Sequence, residues 1–302
     1  MSLAPRAVIV TRRTELEELL ARHGTPQAAE FFLRARRRTL EQVESRHAAQ
    51  VAAVATVATA IPVEWRRGQV DRSDLDRFLF SPEDIVVVVG QDGLVANVAK
   101  YLDGQPVIGV DPEPGRNPGV LVPHHPGEVG ALLTATADGS ALVERRTMVE
   151  AHSDDGQSLV ALNEIYLGQP SHQSARYLLE LADGSDEHQS SSGVLVGTGT
   201  GATGWCRSCC EERHSAIKLP SPTDESLCWF VREPWPSPVT GTSRSEGILE
   251  VDEQLKVTVE SDRLVVFGDG IEADALTVAW GQQVSIGRSS RTLRAIAPPQ
   301  SQ

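Results

Sequence analysis

The sequence predicts an α/β domain over residues 1–125 followed by a mainly β domain over residues 126–302, whose last residues can pack back on the first domain. Two observations carry that prediction. The first is Ile85 to Val89, five consecutive β-branched residues that end at Gly90-Gln91-Asp92-Gly93. A helix-spaced set follows (Leu94, Val95, Val98, Ala99, Leu102), then a second apolar run, Pro106 to Val110. Continuous β-branched runs separated by a helical period are the pattern of strands buried on both faces of a parallel sheet. The second observation is the change of texture after Pro123. From there short segments rich in Val, Leu, Ile and Thr alternate with Gly, Asp and Ser turns. A chain of 302 residues is long enough to bury two such cores.

In chain order, Ala7 to Val10 reads as a short buried strand. Thr14-x-x-Glu17 is a capping box opening a helix that carries Leu16, Leu19 and Leu20 on one side. Thr25-Pro26 supplies an N-cap and a first-turn proline for a second helix. That helix carries Phe32, Leu33, Leu40 and Val43 and is expected to continue through the alanine-rich stretch near residue 58. In the second half, strands are expected at Leu159–Leu167, Ala175–Leu181, Val194–Gly197 and Cys228–Arg232. The series goes on at Ile248–Val251, Leu255–Glu260, Leu264–Phe267, Leu276–Trp280 and Val284–Ile286, with one helix after Thr203. The layered β arrangement follows from this spacing.

Formal charge is 28 minus 41, or −13. An acidic surface disfavours nucleic acid and anionic membranes as partners. A phosphate-rich ligand would need locally supplied positive potential. The longest apolar stretch, Val51 to Ile61, is too short to span a bilayer. Met1-Ser2-Leu3-Ala4-Pro5 carries no signal-peptide hydrophobic region, so a cytoplasmic location is expected. The basic run Arg34, Arg36, Arg37 and Arg38 reads as a solvated helix face. Cys206, Cys209, Cys210 and Cys228 include one Cys-x-x-Cys but no second pair. Small buried thiols of a reduced protein are expected there rather than a zinc site.

Three segments carry chemistry. Gly90-x-Asp92-Gly93 lies where a buried strand meets a helix. Glycines there admit a phosphate close to backbone amides, and Asp92 can orient an attacking hydroxyl, take its proton or hold Mg²⁺. An ordinary Asp-Gly turn is the alternative. Asn163-Glu164 places two adjacent polar side chains in an apolar run, so at least one should point inward, where a polar ligand would satisfy it. A turn or structural ion pair would do the same. Ser191 to Trp205 runs a short strand into Gly197-Thr198-Gly199-Thr200-Gly201-Ala202-Thr203-Gly204-Trp205. That run offers amide and hydroxyl donors and a stacking face, or alternatively forms a glycine-rich hairpin.

Taken in order, Gly-x-Asp-Gly, Asn-Glu and Thr-Gly-Thr-Gly-x-x-x-Trp resemble the NAD kinase superfamily over about residues 85 to 290. The text Pro106-Val107-Ile108-Gly109-Val110-Asp111-Pro112, Ala161-Leu162-Asn163-Glu164, Ser191-Ser192-Gly193 and Arg232-Glu233-Pro234 is closer to its mitochondrial-type branch. The resemblance implies a Rossmann-like N-terminal domain, a β-rich C-terminal domain and a dinucleotide bound between them. It implies transfer of a phosphoryl group from ATP, with Mg²⁺, to the 2′-hydroxyl of the adenosine ribose of NAD, and a homodimer or larger homo-oligomer. Asp92 would engage the hydroxyl, and Gly90 and Gly93 would shape the phosphate loop. Asn163 and Glu164 would hold sugar and adenine, and Thr198, Thr200 and Gly201 would line the glycine-rich loop. Thr203 and Trp205 would line the adenine side, with Ser208 a further polar contact.

Four positions depart from the family pattern. Gln91 stands where a second glycine is usual; if that position requires positive φ the change costs about 1 kcal/mol, and if it lies against a phosphate the side chain obstructs the ligand. Leu94 replaces a threonine, Asp111 an asparagine, and Ser192 the aspartate of the bacterial type. The other readings of these residues are a kinase of the same fold acting on a nucleoside, sugar or polyol, and a non-catalytic NAD(P) sensor.

Overall fold

The computed structural model describes residues 4–116 and 119–298; Met1–Leu3, part of the N-terminal segment considered above, lie outside them. The chain divides into two compact units, one of residues up to Glu144 plus the stretch from Arg294, the other Arg145–Leu293.

The first unit is a parallel sheet with helices. Its elements are β1 (Arg6–Thr11), α1 (Glu15–His23), α2 (Pro26–Arg34), α3 (Leu40–Ala60), β2 (Arg66–Asp71), β3 (Asp84–Val89), α4 (Asp92–Ala99), β4 (Pro106–Val110) and α5 (Val129–Asp138). Strand order is β2-β1-β3-β4, all parallel. All six residues of β3 are buried, as its unbroken β-branched text requires. Ala7, Ile9, Ile85, Val87, Val89, Ile108 and Val110 share a core with Ala53 and Val57 of α3 and with Val129 and Leu133 of α5. The fully buried Val129 and Leu133 contribute roughly 1.5–3 kcal/mol each. That burial keeps α5 in the first unit and moves the boundary from the expected residue 125 to 144.

The capping box at Thr14 and Glu17 is formed: Thr14 N–H donates to Glu17 Oε2, and Glu17 N–H donates to Thr14 Oγ1. The expected single long second helix is two helices. The chain leaves α2 at Ala35, Arg37 adopts φ +57°, and the Thr39 hydroxyl caps α3 by accepting from Gln42 N–H. The basic run therefore lies largely in a turn rather than on a helix face. Arg38 pairs with Glu15, Arg34 with Glu30, and Arg36 lies over the Phe32 ring.

The second unit is a two-sheet sandwich. It is built from β5 (Val143–Ser153), β6 (Ser158–Ala161), β7 (Glu164–Gly168), β8 (Ala175–Glu180), β9 (Asp186–Ser191), β10 (Gly193–Gly197), α6 (Trp205–Glu212), β11 (Leu227–Arg232), β12 (Glu246–Leu249), β13 (Gln254–Val259), β14 (Arg263–Gly268), β15 (Ile271–Ala279) and β16 (Gln283–Ile296). One sheet runs β6-β5-β16-β13-β8-β9, the other β12-β11-β10-β7-β14-β15. Period-two burial orients them. Ala175, Tyr177 and Leu179 of β8 and Leu255, Val257 and Val259 of β13 face Val194, Val196, Trp229 and Val231 across one core. The outer face of β10 and β11 is covered by α6, through Leu195, Phe230, Cys206, Cys209 and Cys228. The last residues of β16, Arg294 and Ala295, pair in parallel with Pro106 and Val107 of β4.

Candidate active site

In the first unit the strand-to-helix loop after β3 sets Asp92 as the first residue of α4. Its carboxylate is held by the neighbouring backbone. Leu121 N–H donates to Oδ1 at 2.8 Å, Val122 N–H to Oδ1 at 3.1 Å, and Val120 N–H to Oδ2 at 3.1 Å. Two amides crowd Oδ1 and a single longer one reaches Oδ2, so Oδ2 keeps the greater accepting capacity.

The glycine that permits this arrangement is Gly109, where a Cβ would overlap Leu121 O. Gly90 is buried and donates to Val110 O at 3.0 Å. Gly93 is exposed, and an added Cβ there meets nothing within 4 Å. Gln91 has φ −101° and ψ 165°. The backbone penalty considered for a residue in place of glycine at position 91 is therefore absent.

Beside this loop lies a cavity of about 110 Å³ within the same unit. Arg12, Arg13 and Arg46 line it together with Gly90, Gln91, Glu15, Asp111 and Glu113. Arg46 Nε is buried without a hydrogen-bond partner among the described residues, and the Arg46 head stands 3.6 Å from Glu15 Oε2. Arg12 and Arg13 are exposed and form no ion pair among the described residues. Glu15, Asp111 and Glu113 line the same cavity, so Arg12 and Arg13 are its cations without an ion pair among the described residues and the groups a phosphate could meet.

In the second unit the expected unbroken strand through Asn163-Glu164 is two strands. Leu162 and Asn163 form the break between β6 and β7, and Glu164 opens β7. Asp269 causes the break. Its Oδ2 accepts from Leu162 N–H at 2.9 Å and its Oδ1 from Asn163 N–H at 2.7 Å, while its own N–H donates to Glu164 O at 3.1 Å. Asp269 sits at φ +56° before Gly270, a conformation that Asp tolerates better than most residues. Burial pushes the Glu164 pKa up to about 7, and the Asp269 carboxylate adds to the rise.

The glycine-rich run is largely occupied with itself. Thr198 is fully buried; its hydroxyl donates to Leu162 O at 2.6 Å and accepts from Thr200 N–H at 3.1 Å and Gly201 N–H at 3.3 Å. Thr198 N–H donates to Asn163 O, and Ala202 N–H to Thr198 O. A Cβ on Gly199 would overlap Ser221 O, one on Gly201 would overlap Asn163 O, and one on Gly197 would overlap Cys206 Sγ. These glycines therefore serve close packing of the loop against its neighbours, and Thr198 fastens the loop to the Asn163 turn. Thr200 Oγ1 is the exception: it is buried and has no hydrogen-bond partner among the described residues. Thr203 and Ser208 are exposed, and the Thr203 hydroxyl donates to Thr200 O at 2.9 Å. Trp205 stacks on Tyr166, ring centroids 5.5 Å apart, with the Arg232 guanidinium 5.2 Å from its ring.

The structure thus gathers Asn163, Glu164, Thr198, Thr200 and Gly201 into one turn-and-loop assembly. Asp92, Gly90 and Gly93 belong to the first unit. Sequence reasoning missed Arg12, Arg13, Gly109 and Asp269. The Asp269-Gly270 pair at the end of an apolar run was a readable turn signal. No periodicity marks Arg12 and Arg13.

No family model matches the chain. Curated relatives do. It is 26% identical over 218 residues to the NAD kinase of Caldicellulosiruptor saccharolyticus, covering 70% of this chain and 76% of that protein. It is 27% identical over 227 residues to the NAD kinase of Pseudomonas putida, covering 71% of each. It is 25% identical over 222 residues to that of Thermotoga maritima, covering 72% of this chain and 77% of the relative. Yeast NADH kinase, solved in complex with NADH, shares the fold with a TM-score of 0.59 at 16% identity, over 98% of this chain and 84% of that one. Several NAD kinases align over most of their length. On those grounds, the chain is similar to NAD kinases over about 70% of its length and shares the fold of yeast NADH kinase.

Proposed function

We propose that this chain phosphorylates NAD at the 2′-hydroxyl of the adenosine ribose, with ATP as donor, to give NADP. The observation that carries the proposal is the alignment with curated NAD kinases over about 70% of the chain, joined to the ordered motifs around Asp92, Asn163-Glu164 and Thr198 to Trp205. In this reading Asp92 Oδ2, which accepts one amide at 3.1 Å, takes the hydroxyl proton as O2′ attacks the γ-phosphorus. The new O2′–P bond forms as the bond to the β-phosphate oxygen breaks, and ADP leaves with that electron pair. Arg12, Arg13 and Arg46 hold the donor phosphates and offset their charge. The Thr200 hydroxyl, buried and unpartnered among the described residues, bonds the dinucleotide. Asn163 and Glu164 hold adenosine, and the Trp205 face, Thr203 and Ser208 border it.

Among the described residues no three His, Cys, Asp or Glu side chains gather as a metal centre. Asp92, the carboxylate nearest the role, is engaged by three amides. The residues present do not fit a protein-held Mg²⁺ cage. A Mg²⁺ ion carried by the triphosphate is consistent with this donor set. Ser191-Ser192-Gly193 favours the mitochondrial-type branch, and a cytoplasmic homo-oligomer is the expected state. Purified protein incubated with ATP, Mg²⁺ and a panel of NAD, NADH, nucleosides and sugars, with products read by mass, tests the proposal. A phosphorylated nucleoside beside an unreacted NAD lane would overturn it.

A further inference from the structure

A second built cavity lies in the second unit, away from the residues assigned above. It measures about 720 Å³ and is floored by the β8–β9 edge of the sheet, with Glu260 just after β13. On β8 the residues Ala175, Tyr177 and Leu179 point into the core, so Arg176 points out; on β9, Gln189 and Ser191 are buried, so His188 and Ser190 point out. Register sets Arg176 opposite Ser190. On the other flank Glu260 N–H donates to Arg176 O. Arg176 forms no ion pair among the described residues, and the Glu260 carboxylate on the same cavity wall lies 2.8 Å from His188 Nδ1.

Two tryptophans border this face, Trp235 at 70% and Trp280 at 67% exposure. Both are presented by hydrogen-bonded turns. Trp235 N–H donates to Ser190 O at 2.7 Å, its carbonyl accepts from Thr240 Oγ1 at 3.0 Å, and Gly241 N–H closes the loop on His188 O at 2.9 Å. Trp280 precedes Gly281, which has φ +83° and donates to Val259 O at 2.8 Å. Holding two large apolar rings in water on pinned turns is unfavourable for the isolated unit, and such exposed aromatics mark recognition surfaces. A cavity of several hundred Å³ is the size of small-molecule sites. Its equipment is specific: indole faces for a planar ring, one guanidinium for an anion, and the Ser190, Ser237 and Thr240 hydroxyls for polar groups.

We infer that this cavity binds a planar aromatic ligand bearing an anionic group, of the nucleoside monophosphate class, with the ring on Trp235 and Trp280 and the anion on Arg176. The inference stands apart from the proposed kinase reaction, since none of these residues takes part in it. The test is a titration of the full chain with AMP, followed by tryptophan fluorescence and calorimetry, on wild type, Trp235→Ala, Trp280→Ala and Arg176→Gln. All three positions are exposed, and circular dichroism checks that each variant folds. Loss of either indole should weaken AMP binding at this site about tenfold or more, and Arg176→Gln should weaken AMP while leaving adenosine binding unchanged. Phosphotransfer rates of the variants should match wild type. AMP affinity and stoichiometry unchanged in both tryptophan variants would overturn the inference. So would indole emission that changes with protein concentration alone, the mark of a second copy of the chain on this face.

Discussion

Between pH 4.5 and pH 8 the second unit should lose stability through one side chain, Glu164. Burial, with the Asp269 carboxylate adding to it, lifts its pKa from 4.5 to about 7. Unfolding returns the group to its ordinary value. Within that window the folded chain keeps a proton that the unfolded chain has released, so raising the pH favours unfolding. The stabilising effect of the proton is whole below about pH 4.5 and is lost as the pH climbs through 7. The interval is 7 − 4.5 = 2.5 pH decades, and at about 1.36 kcal/mol per decade it amounts to ~3 kcal/mol. Glu164→Gln keeps the shape and removes the charge. It should lack this decline, exceed wild type by ~2–3 kcal/mol at pH 8, and converge with it toward pH 4.5. Urea unfolding of both proteins at pH steps, read by tryptophan fluorescence, supplies the two curves. Parallel curves across the window would refute the reasoning. Asp269→Asn offers a check from the other side, because removing the like charge should shift the wild-type inflection to lower pH.

Other outcomes follow from the same geometry. Thr198→Val removes one hydroxyl serving Leu162 O, Thr200 N–H and Gly201 N–H; it should cost ~2–4 kcal/mol, read as a lower melting temperature, and an unchanged melting temperature would show that the loop does not depend on it. Gly109→Ala drives a methyl into Leu121 O and should cost about 3 kcal/mol or more in denaturant unfolding while also lowering kcat, since segment 120–122 holds Asp92. Asp92→Asn should cut kcat on the order of 10²-fold, and turnover undiminished by that substitution would remove Asp92 from the chemistry. Arg12→Ala or Arg13→Ala should raise the KM for ATP about tenfold with the KM for NAD unchanged; equal effects on both substrates would argue against a donor-phosphate role.

The fold was legible where a single physical preference dominated. Ile85 to Val89 could only be a doubly buried strand, and the Thr14 and Thr25 caps fixed the starts of α1 and α2. β9, with the sequence Asp-Glu-His-Gln-Ser-Ser, carries no apolar signal because it lies at a sheet edge and is held by pairing with β8. β2 is similarly polar and is placed by β1. α5 was missed because its helical text is short and rich in Ala and Thr, and its burial rests on two residues. At the site, the polar and glycine-bearing segments were visible as anomalies in apolar text, but their purposes were not. Nothing local says that the glycines at 197, 199 and 201 make room for Cys206, Ser221 and Asn163, or that Thr198 is consumed in the loop. Most of those purposes come from residues distant along the chain, as does the hold of Asp269 on Leu162 and Asn163.

β16 has a consequence for biogenesis. Its final residues complete the parallel sheet at β4, and Ile296 O is the buried hydrogen-bond partner of His124 Nε2 at 2.8 Å. The unit that carries β1 to β4 therefore lacks one of its sheet members until residues 294–296 have been synthesised, about 180 residues after β4. A nascent chain halted after Glu144 would present the β4 edge unpaired, a ready template for misassociation. Supplying a peptide spanning 290–298 in trans should quiet that edge.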